Sequence, residues 1–544
     1  MTRQRGRYVA KRSPAVAEGW RLERHTQVSH LFGANGMRIG PDGRLYIAQC
    51  VGSQISAVDL ATGEIETISP LGGDIIGPDD IAFDDHGNIY ATEFMDGRVS
   101  VRRANGETQI VRDDVPHANG ITFHQGRLFI DESRMGGRLL ELDLNGGAPR
   151  VVAENLAFPN ALAPGPDGWL YFPLVVDSEI WRIHPDSGRT ERVTAGLSRP
   201  VAVKFDSKGF IISPQQASGE VLRIDPQNGN KTVLATLDPG LDNLTFMGER
   251  LFISHMTDGR ITEILADGKS RNVLAGGFHG PFGLAVGDDG RVYVADHVAC
   301  YVLKPGGGVE CVGTSFVPGF AGGTRGMARV AGRGFVVTTW KSTVALYQPE
   351  ADKLEVLAEG LGQPYGVAVA PDGTFIVAEF GAGRVSSVRR NKVDVLAAGL
   401  RRPIGVAVAP SGECFVSEEG GGRIVKITGS AIETVLDGLQ KPQGIAVHDG
   451  KLYVVDAGAH SLISFDIESR TCNTIAADLP VGAPPGVIPK PLRGGPFSGP
   501  FGPFAGIAAA SDGTLYFSAD AEGSIMALRP EKRTTQNSIV AHTI

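Results

Sequence analysis

The sequence predicts an all-β protein built as two tandem six-bladed β-propellers, with twelve four-stranded blades in total. Three observations predict this fold. Glycine supplies 73 of the 544 residues, about twice its usual share of roughly 7%, which indicates many tight turns between short strands. One unit, two short apolar runs joined by a turn, recurs twelve times along the chain. Most of its spacings are about 40 residues, the period of a propeller blade, and helical periodicity is absent.

The repeated unit begins with a proline or glycine and a first apolar run, and a turn then leads to the second run. The twelve turns read PDGRLYIA, DHGNIYAT, HQGRLFID, PDGWLYFP, SKGFIISP, MGERLFIS, DDGRVYVA, AGRGFVVT, PDGTFIVA, PSGECFVS, HDGKLYVV and SDGTLYFS. A third strand such as GRVSVRRA or GEVLRIDP follows, and a fourth such as TQIVRDD or KTVLATL completes the blade. Each unit therefore predicts four antiparallel strands.

The residue at one place in the innermost strand, in most blades just before a glycine, divides the twelve blades into two sets. In the first six blades these residues are mostly short and oxygen-bearing: Asn35, Asp79, Asn119, Asn160, Val201 and Asp242. In the last six they are bulky and mixed: Phe282, Arg325, Tyr365, Ile404, Gln443 and Ala505. This change predicts a disordered basic tail at 1–18, a first propeller at 19–275 and a second propeller at 276–544.

Each ring must also close its sheet edge or leave it open to association. The strands available for closure are the N-terminal WRLERHTQVSHL and the C-terminal SIVAHTI, and the sequence does not say which ring each would close. The stretch 482–504 carries too many prolines for a ladder strand, so it predicts a loop. That loop is either a lid over the mouth of the second ring or a mobile excursion.

Composition excludes several classes of protein. The formal net charge of −8 argues against nucleic-acid binding, which needs a basic face. No apolar run is long enough to span a membrane, and no secretory signal is recognisable at the start. Five cysteines without paired spacing predict neither a disulfide framework nor a zinc site, although Cys300 and Cys311 could face each other across a hairpin. A cytoplasmic location is therefore expected.

The innermost strands of a propeller begin at its central channel, so the short polar residues of the first ring should converge there. Their oxygens are what a hard cation needs, and two aspartates could balance a divalent charge. The predicted metal ligands are Asn35, Asp79, Asn119, Asn160 and Asp242, and calcium is the expected ion. The alternative is that these side chains satisfy backbone N–H groups or hold channel water.

A second layer lies at the end of each second strand, where Glu93, Glu132 and His255 occur. The second ring carries acids at the same place without a polar ring, so an acid there is typical of a blade-turn acceptor. His255 is the exception to the repeat, and His117 lies two residues before Asn119. Histidine titrates near neutral pH, so either is a candidate catalytic base. Glu93 and Glu132 are candidates for orienting the attacking water.

The blade texture, for example PQGIAVHDGKLYVVDAG, resembles NHL-type repeats over essentially the whole chain. The first ring also resembles the calcium-dependent hydrolases of the gluconolactonase, regucalcin and paraoxonase group. In that group a glutamate, two asparagines and an aspartate hold calcium in a six-bladed ring. Asn119 in NGITF and Asn160 in PNALA match the two asparagines. Asn35 stands where the group has its glutamate, and Val201 stands where it has its aspartate, so the ligand set would be rearranged.

These observations favour a metal-dependent hydrolase of a lactone or related ester, acting on a small-molecule substrate. One rival is a non-catalytic NHL-type binding protein, for which no metal and tolerance of mutation at Asn119 and Asn160 are expected. A metal-dependent lyase or isomerase is another alternative, since fold does not determine reaction. The second propeller would be a support, a cover over the mouth of the first, or a homo-oligomer contact.

Overall fold

The computed structural model describes residues 7, 12–306, 308–315, 320, 323–351, 353–389, 391–429, 431–482, 490 and 504–531. Their secondary structure is almost entirely antiparallel strand, with one short 3₁₀ turn at Pro349–Ala351. The strands form twelve sheets, eleven of four strands and one of five. The prediction of twelve four-stranded blades is confirmed.

Two short strands precede the blades, β1 (Ala15–Val16) and β2 (Trp20–Arg24). The first six sheets follow in chain order, each from one continuous segment. They are β3 (Met37–Ile39), β4 (Leu45–Gln49), β5 (Gln54–Val58) and β6 (Ile65–Ser69) in blade 1; β7 (Pro78–Phe83), β8 (Ile89–Glu93), β9 (Arg98–Arg102) and β10 (Thr108–Arg112) in blade 2; β11 (Ala118–His124), β12 (Arg127–Glu132), β13 (Met135–Leu142) and β14 (Arg150–Ala157) in blade 3; β15 (Ala163–Pro164), β16 (Leu170–Leu174), β17 (Glu179–Ile183) and β18 (Thr190–Thr194) in blade 4; β19 (Lys204–Phe205), β20 (Ile211–Pro214), β21 (Glu220–Ile224) and β22 (Lys231–Thr236) in blade 5; and β23 (Leu241–Met247), β24 (Arg250–His255), β25 (Ile261–Ile264) and β26 (Ser270–Leu274) in blade 6.

The second set of six sheets completes the chain. They are β27 (Pro281–Val286), β28 (Val292–Asp296), β29 (Ala299–Leu303) and β30 (Val309–Thr314) in blade 7; β31 (Thr324–Val330), β32 (Gly334–Thr339), β33 (Val344–Gln348) and β34 (Lys353–Ala358) in blade 8; β35 (Pro364–Val369), β36 (Phe375–Glu379), β37 (Arg384–Arg389) and β38 (Lys392–Ala398) in blade 9; β39 (Pro403–Val408), β40 (Cys414–Glu418), β41 (Arg423–Thr428) and β42 (Ala431–Leu436) in blade 10; β43 (Pro442–His448), β44 (Lys451–Asp456), β45 (Ser461–Asp466) and β46 (Cys472–Ala477) in blade 11; and β47 (Ile507–Ala509), β48 (Leu515–Ala519) and β49 (Ser524–Pro530) in blade 12.

A hydroxyl near the end of the second strand links several blades to the next and shows where each ring closes. Ser254 Oγ of blade 6 donates to the carbonyl oxygen of Asn35 in blade 1 at 2.8 Å. Ser518 Oγ of blade 12 donates to the carbonyl oxygen of Phe282 in blade 7 at 2.6 Å. Blade 6 therefore returns to blade 1 and blade 12 to blade 7, so the chain forms two rings of six blades.

Glycine at the start of each innermost strand lets the blades of the second ring approach one another closely. A side chain at any of these positions would overlap the backbone of the next blade around the ring, including the step from blade 12 to blade 7. The six glycines are Gly283, Gly326, Gly366, Gly405, Gly444 and Gly506. None of the six has a positive φ. Glycine is needed at these positions because it has no side chain to overlap the next blade.

The N-terminal strand closes the second ring, a point that the sequence left open. β2 pairs antiparallel with β49, from Trp20 opposite Pro530 to Arg24 opposite Met526, and so supplies the outer strand of blade 12. The C-terminal SIVAHTI lies outside the described residues. The sequence-based boundaries placed this strand in the first propeller at 19–275, and the structure corrects that placement.

Part of the segment predicted as a disordered tail is also ordered. Ala15 and Val16 pair with Ala477 and Ala476 as a fifth strand of blade 11. Arg7 is buried, and its guanidinium donates to four carbonyl oxygens drawn from both rings, those of Leu31, His279, Asp520 and Ala521. The prediction of a disordered 1–18 tail is therefore wrong for these residues, because they complete sheets and bridge the rings.

The two rings meet at the ends of their channels. Val51, which follows β4 in the first ring, packs in one buried apolar cluster with Phe282, Tyr365 and Ile404 of the second ring. These three residues begin innermost strands of the second ring, so its mouth lies against the blade 1 side of the first. Most of the loop predicted at 482–504 lies outside the described residues. Within it, Lys490 pairs with Asp74 of the first ring at 2.8 Å.

All five cysteines are free thiols, including Cys300 and Cys311. The register of blade 7 sets Cys311 opposite Tyr301, and Cys300 opposite Gly313. The two cysteines are therefore not directly opposed. Within the described residues, no helix has the length and apolar character needed to cross a membrane.

The division into two domains is a proposal that fragments can test. Because β2 belongs to the second ring, we expect residues 27–275 to fold alone as the complete first propeller, with a single cooperative thermal transition. We expect residues 276–544 alone to lack that transition, because blade 12 has lost its outer strand and Arg7 is absent. Adding a peptide of residues 1–26 should restore it in calorimetry. A cooperative 276–544 fragment without the peptide would contradict a closing role for β2.

Candidate metal centre of the first propeller

The first residues of the innermost strands converge at the mouth of the first ring, as predicted. Asn35 Nδ2 donates to Asp79 Oδ1 at 3.2 Å, and the Gly36 N–H donates to the Asp79 carbonyl oxygen at 2.7 Å. Asp242 is close enough to Asp79 for the two charges to interact. Asn35, Asp79 and Asp242 thus share one buried space. We call the five predicted ligands the acidic cluster (Asn35, Asp79, Asn119, Asn160 and Asp242).

The carboxylates of the acidic cluster lie in a poorly solvated place. Burial, together with the neighbouring Asp80, raises the pKa of Asp79 to about 7. Burial and the charges of Asp79 and Asp80 raise the pKa of Asp242 well above its usual range. The Cys50 thiol donates a hydrogen bond to Asp79, and burial beside the two aspartates raises its own pKa. Without a cation, at least one of these carboxyls would hold a proton near neutral pH.

The two asparagines of the cluster that match the resemblance differ in surroundings. Asn119 is 6% exposed, and its side-chain oxygen accepts no hydrogen bond from any described residue. Its carbonyl oxygen accepts a hydrogen bond from Thr92, which fixes the strand. Asn160 is half-buried. A buried amide oxygen without a donor is costly unless it binds another group, such as a cation or water.

Asn35 has a further role within the protein. Its side-chain oxygen accepts a hydrogen bond from the Cys50 N–H at 3.1 Å, while its nitrogen faces Asp79. Asn35 therefore holds Asp79 in place and joins two loops of the mouth. Its proposed role as a metal ligand would use the remaining lone pair of an oxygen that already accepts one bond.

Cations further along the channel were not predicted. Arg38 Nη2 donates to Asp80 Oδ2 at 3.3 Å and to the Ile121 carbonyl oxygen at 2.8 Å. Lys204 Nζ donates to the Met37 carbonyl oxygen at 3.0 Å, and burial and Arg38 lower the pKa of Lys204 well below its usual value. Arg38 lies on the innermost strand β3 and Lys204 on the innermost strand β19. To predict them, one would have to know which face of each strand lines the channel.

The second-layer acids face into their own blades. Glu93 is fully buried and accepts hydrogen bonds from the Ile76 N–H and Arg98 Nε, both at 2.6 Å, and from Ser100. Glu132 is also buried and pairs with Arg134 at 2.8 Å. Both acids anchor loops and strands, so the structure does not bring them to the acidic cluster.

His255 likewise lies inside its blade. It is fully buried, and its Nε2 lies 3.1 Å from Thr262 Oγ1 of the adjacent strand. Burial, with a smaller contribution from Arg260, lowers its pKa well below the usual value. This neutral imidazole packs between strands of blade 6 and is remote from solvent.

His117 is the one candidate base that is exposed. It precedes β11, has a left-handed backbone with φ of 55°, and packs on Phe94 with ring centroids 5.0 Å apart. Burial of part of the ring and the charge of Arg134 lower its pKa. Because β11 contributes Asn119 two residues later, His117 stands at the rim of the same mouth.

Asp131 is a buried acid that the sequence analysis missed. It takes the position that a hydroxyl holds in other blades, where Thr92 and Ser254 accept from an inner N–H and donate to the next blade. Asp131 Oδ1 accepts from the Gly120 N–H at 3.0 Å, while Oδ2 is buried with no partner among the described residues. Burial raises its pKa to about 8. Alignment of the blades by this hydroxyl would have revealed it.

The chemistry of the cluster suits a hard cation. Two carboxylates, at least one free amide oxygen and a half-buried asparagine offer the oxygen ligands that calcium accepts, with water completing the shell. Among the residues that the structure describes, no three His, Cys, Asp or Glu side chains are placed so that they could hold a metal ion by themselves, so amide oxygens would have to contribute. The buried side-chain oxygen of Asn119, which accepts no hydrogen bond from a described residue, is the observation that fits a cation.

Comparisons with known proteins give likeness in structure alone. No family model and no curated protein matches the chain. Among solved structures, a virginiamycin B lyase from Staphylococcus aureus is 17% identical, with a TM-score of 0.38 over 51% of this chain and 96% of its own. A putative gluconolactonase is 14% identical, with a TM-score of 0.38 over 48% and 95%. A gluconolactonase from Xanthomonas campestris is 16% identical, with a TM-score of 0.37 over 45% and 93%. These matches assign no activity to the chain.

The buried Asp131 predicts a specific pH dependence of stability. Because its folded pKa is above the unfolded value, the folded state holds a proton that the unfolded chain has lost between about pH 4 and 8, so stability falls as pH rises through that range. Asp131→Asn keeps the shape and the acceptor for the Gly120 N–H, and it carries no charge at any pH. We expect the free energy of unfolding of Asp131→Asn to exceed that of the wild type by about 1–3 kcal/mol at pH 8. At pH 4 this advantage over the wild type should be smaller. Denaturant melts at both pH values measure this. Equal pH slopes in the two proteins would contradict a protonated Asp131.

Proposed function

We propose that the first propeller is a metal-dependent hydrolase of a lactone or related ester, and that its cation is calcium. The observation that carries the proposal is the buried side-chain oxygen of Asn119, which accepts no hydrogen bond from a described residue, in a ring whose buried Asp79 and Asp242 carboxylates interact. In the proposal, these three residues and Asn160 hold the cation. Asn35 and Cys50 position Asp79 through the hydrogen bonds described above.

When bound, the cation would supply Lewis acidity that polarises the substrate carbonyl and stabilises its developing negative charge. The protein's own groups orient the substrate and move the proton. His117 is proposed as the base, because its exposed imidazole stands at the rim and its lowered pKa keeps it neutral near pH 7. Glu93, Glu132 and His255 are proposed to support the blades that carry the site, since each is engaged within its own blade.

Coverage of the mouth supports a small substrate. Val51 of the first ring packs against the second propeller, whereas His117 in blade 3 is exposed. The second propeller thus acts in the proposal as a partial cover, with access from the blade 3 side. Exclusion of water on the covered side would strengthen electrostatic interactions within the site.

Metal binding is expected to depend on Asn119 and on pH. Asn119→Ala should lower calcium affinity by at least about 10-fold, whereas Asn228→Ala, in an exposed turn of blade 5, should not change it. Because Asp79 must lose a proton with a pKa of about 7, wild-type affinity should rise between pH 6 and 8, with protons released on binding. Isothermal titration calorimetry in two buffers and elemental analysis per chain measure both. Full calcium uptake by Asn119→Ala would overturn the site.

The role of His117 is tested by turnover on a lactone and ester panel, with calcium or chelator present. His117→Ala should lower kcat by about 10²-fold or more if the imidazole takes the proton, with calcium affinity unchanged. His86→Ala, in an exposed turn of blade 2, is the matched control. Incorporation of oxygen from labelled water into the product identifies hydrolysis. A calcium-dependent product without solvent oxygen would assign a lyase or isomerase to the same centre instead.

A further inference from the structure

The second propeller carries a charged residue at the position where the first carries its acidic cluster. Arg325 stands in the innermost strand of blade 8 at the place that Asp79 takes in blade 2. Arg325 is 3% exposed. Its neighbours around the mouth are largely apolar, with Phe282, Tyr365 and Ile404 in one buried cluster. A permanent positive charge therefore lies at the junction of the two rings, in an environment that disfavours it.

No acidic group compensates this charge. Among the residues that the structure describes, Arg325 forms no ion pair and no hydrogen bond. Its guanidinium carbon stands 4.2 Å from the centroid of the Tyr365 ring. Burial lowers the pKa of Arg325, and Tyr365 is the sole group that raises it. An aromatic face offsets only part of the cost of burying a cation.

Outside the described residues, the sequence contains a single acidic side chain, Asp352. Its chain neighbours are Ala351, the last residue of the 3₁₀ turn, and Lys353, the first residue of β34, which is the outer strand of blade 8. Arg325 lies on β31, the innermost strand of that blade.

Two other buried arginines, Arg7 and Arg98, and the half-buried Arg223 show how the fold normally treats such a group. Arg7 donates to four carbonyl oxygens, and Arg98 pairs with Glu93 at 2.6 Å and with Asp96 at 3.2 Å. Arg223, which stacks on Phe210 much as Arg325 stacks on Tyr365, is paired with Asp206 at 2.8 Å. Arg325 has the same stacking without the acid.

We propose that the mouth of the second propeller binds a single monovalent anion, with Arg325 as its charged receptor. A monovalent ion matches one guanidinium, whereas a phosphate dianion would leave uncompensated negative charge among apolar side chains. The channel just behind Arg325 contains a cavity of about 40 Å³ lined by Gly326, Met327 and Phe504, which suits a small ion. Chloride and the carboxylate of a small organic acid share this chemistry. The inference does not depend on hydrolysis by the first propeller.

The full chain tests the proposal in sodium HEPES at constant ionic strength. Sodium chloride, acetate or phenylacetate is added, and the melting temperature and heat of binding are measured. The wild type should show saturable binding of at least one of these anions. Arg325→Met should bind at least about 10-fold more weakly, because a charge-assisted hydrogen bond is lost. Arg223→Met, the stacked but acid-paired control, should bind as the wild type does.

The three anions separate the sources of the ligand. Binding of chloride and acetate alone would indicate a free ion, and tighter binding of phenylacetate would indicate a ligand with an apolar body. In the HEPES buffer without added chloride, acetate or phenylacetate, Arg325→Met should melt no lower than the wild type, since it removes an unpaired buried charge. A lower melting temperature there, or equal anion responses of the wild type and Arg325→Met, would overturn the proposal and make Arg325 a structural residue.

Discussion

The structure depends on how closely the innermost strands approach one another around each propeller axis. In the second ring all six blades have glycine at the point of contact, and a methyl group at any of them would overlap the next blade. Hydroxyls such as Ser254 and Ser518 bond across the same gap. This close approach leaves little channel volume. The residue just before each glycine is therefore the first whose side chain has room to bind a ligand or to react.

The two rings use that residue in opposite ways. The first ring places aspartates and asparagines there, and their carboxyl pKa values are raised by burial and mutual repulsion. The second ring places Arg325 and aromatic side chains at the equivalent positions. The scaffold is common to both, so the difference in charge comes from substitutions at a few strand starts. A propeller with acidic side chains at its mouth thus lies against one with a buried arginine at its mouth.

The sequence predicted the parts of the fold that repeat. Turn glycines and alternating strands predict the blades, since each depends on local geometry, and the residue at the start of each innermost strand suggested where one ring ends and the next begins. The partner of β2 was not predictable, because Trp20 pairs with Pro530 and no local pattern encodes so distant a contact. The direction of Glu93 and His255 was also missed in part. A strand-end side chain can face the channel or its own blade, and only Arg98 and Thr262 decide which.

The strand that closes the second ring, β2, is synthesised long before its partner β49, and this constrains the order of folding. Glu23 of β2 meets Arg529 across 506 residues of chain. During synthesis at about 5–20 residues per second, roughly 25–100 s separate the appearance of the two. The first ring has all its strands within one segment, so it can be complete while β2, near the N-terminus, still lacks its partner β49. Through that interval the protein carries an unpaired strand edge, the kind of surface that invites association with neighbours. The rate of synthesis and the binding of chaperones to the unpaired strand therefore bear on how this protein folds.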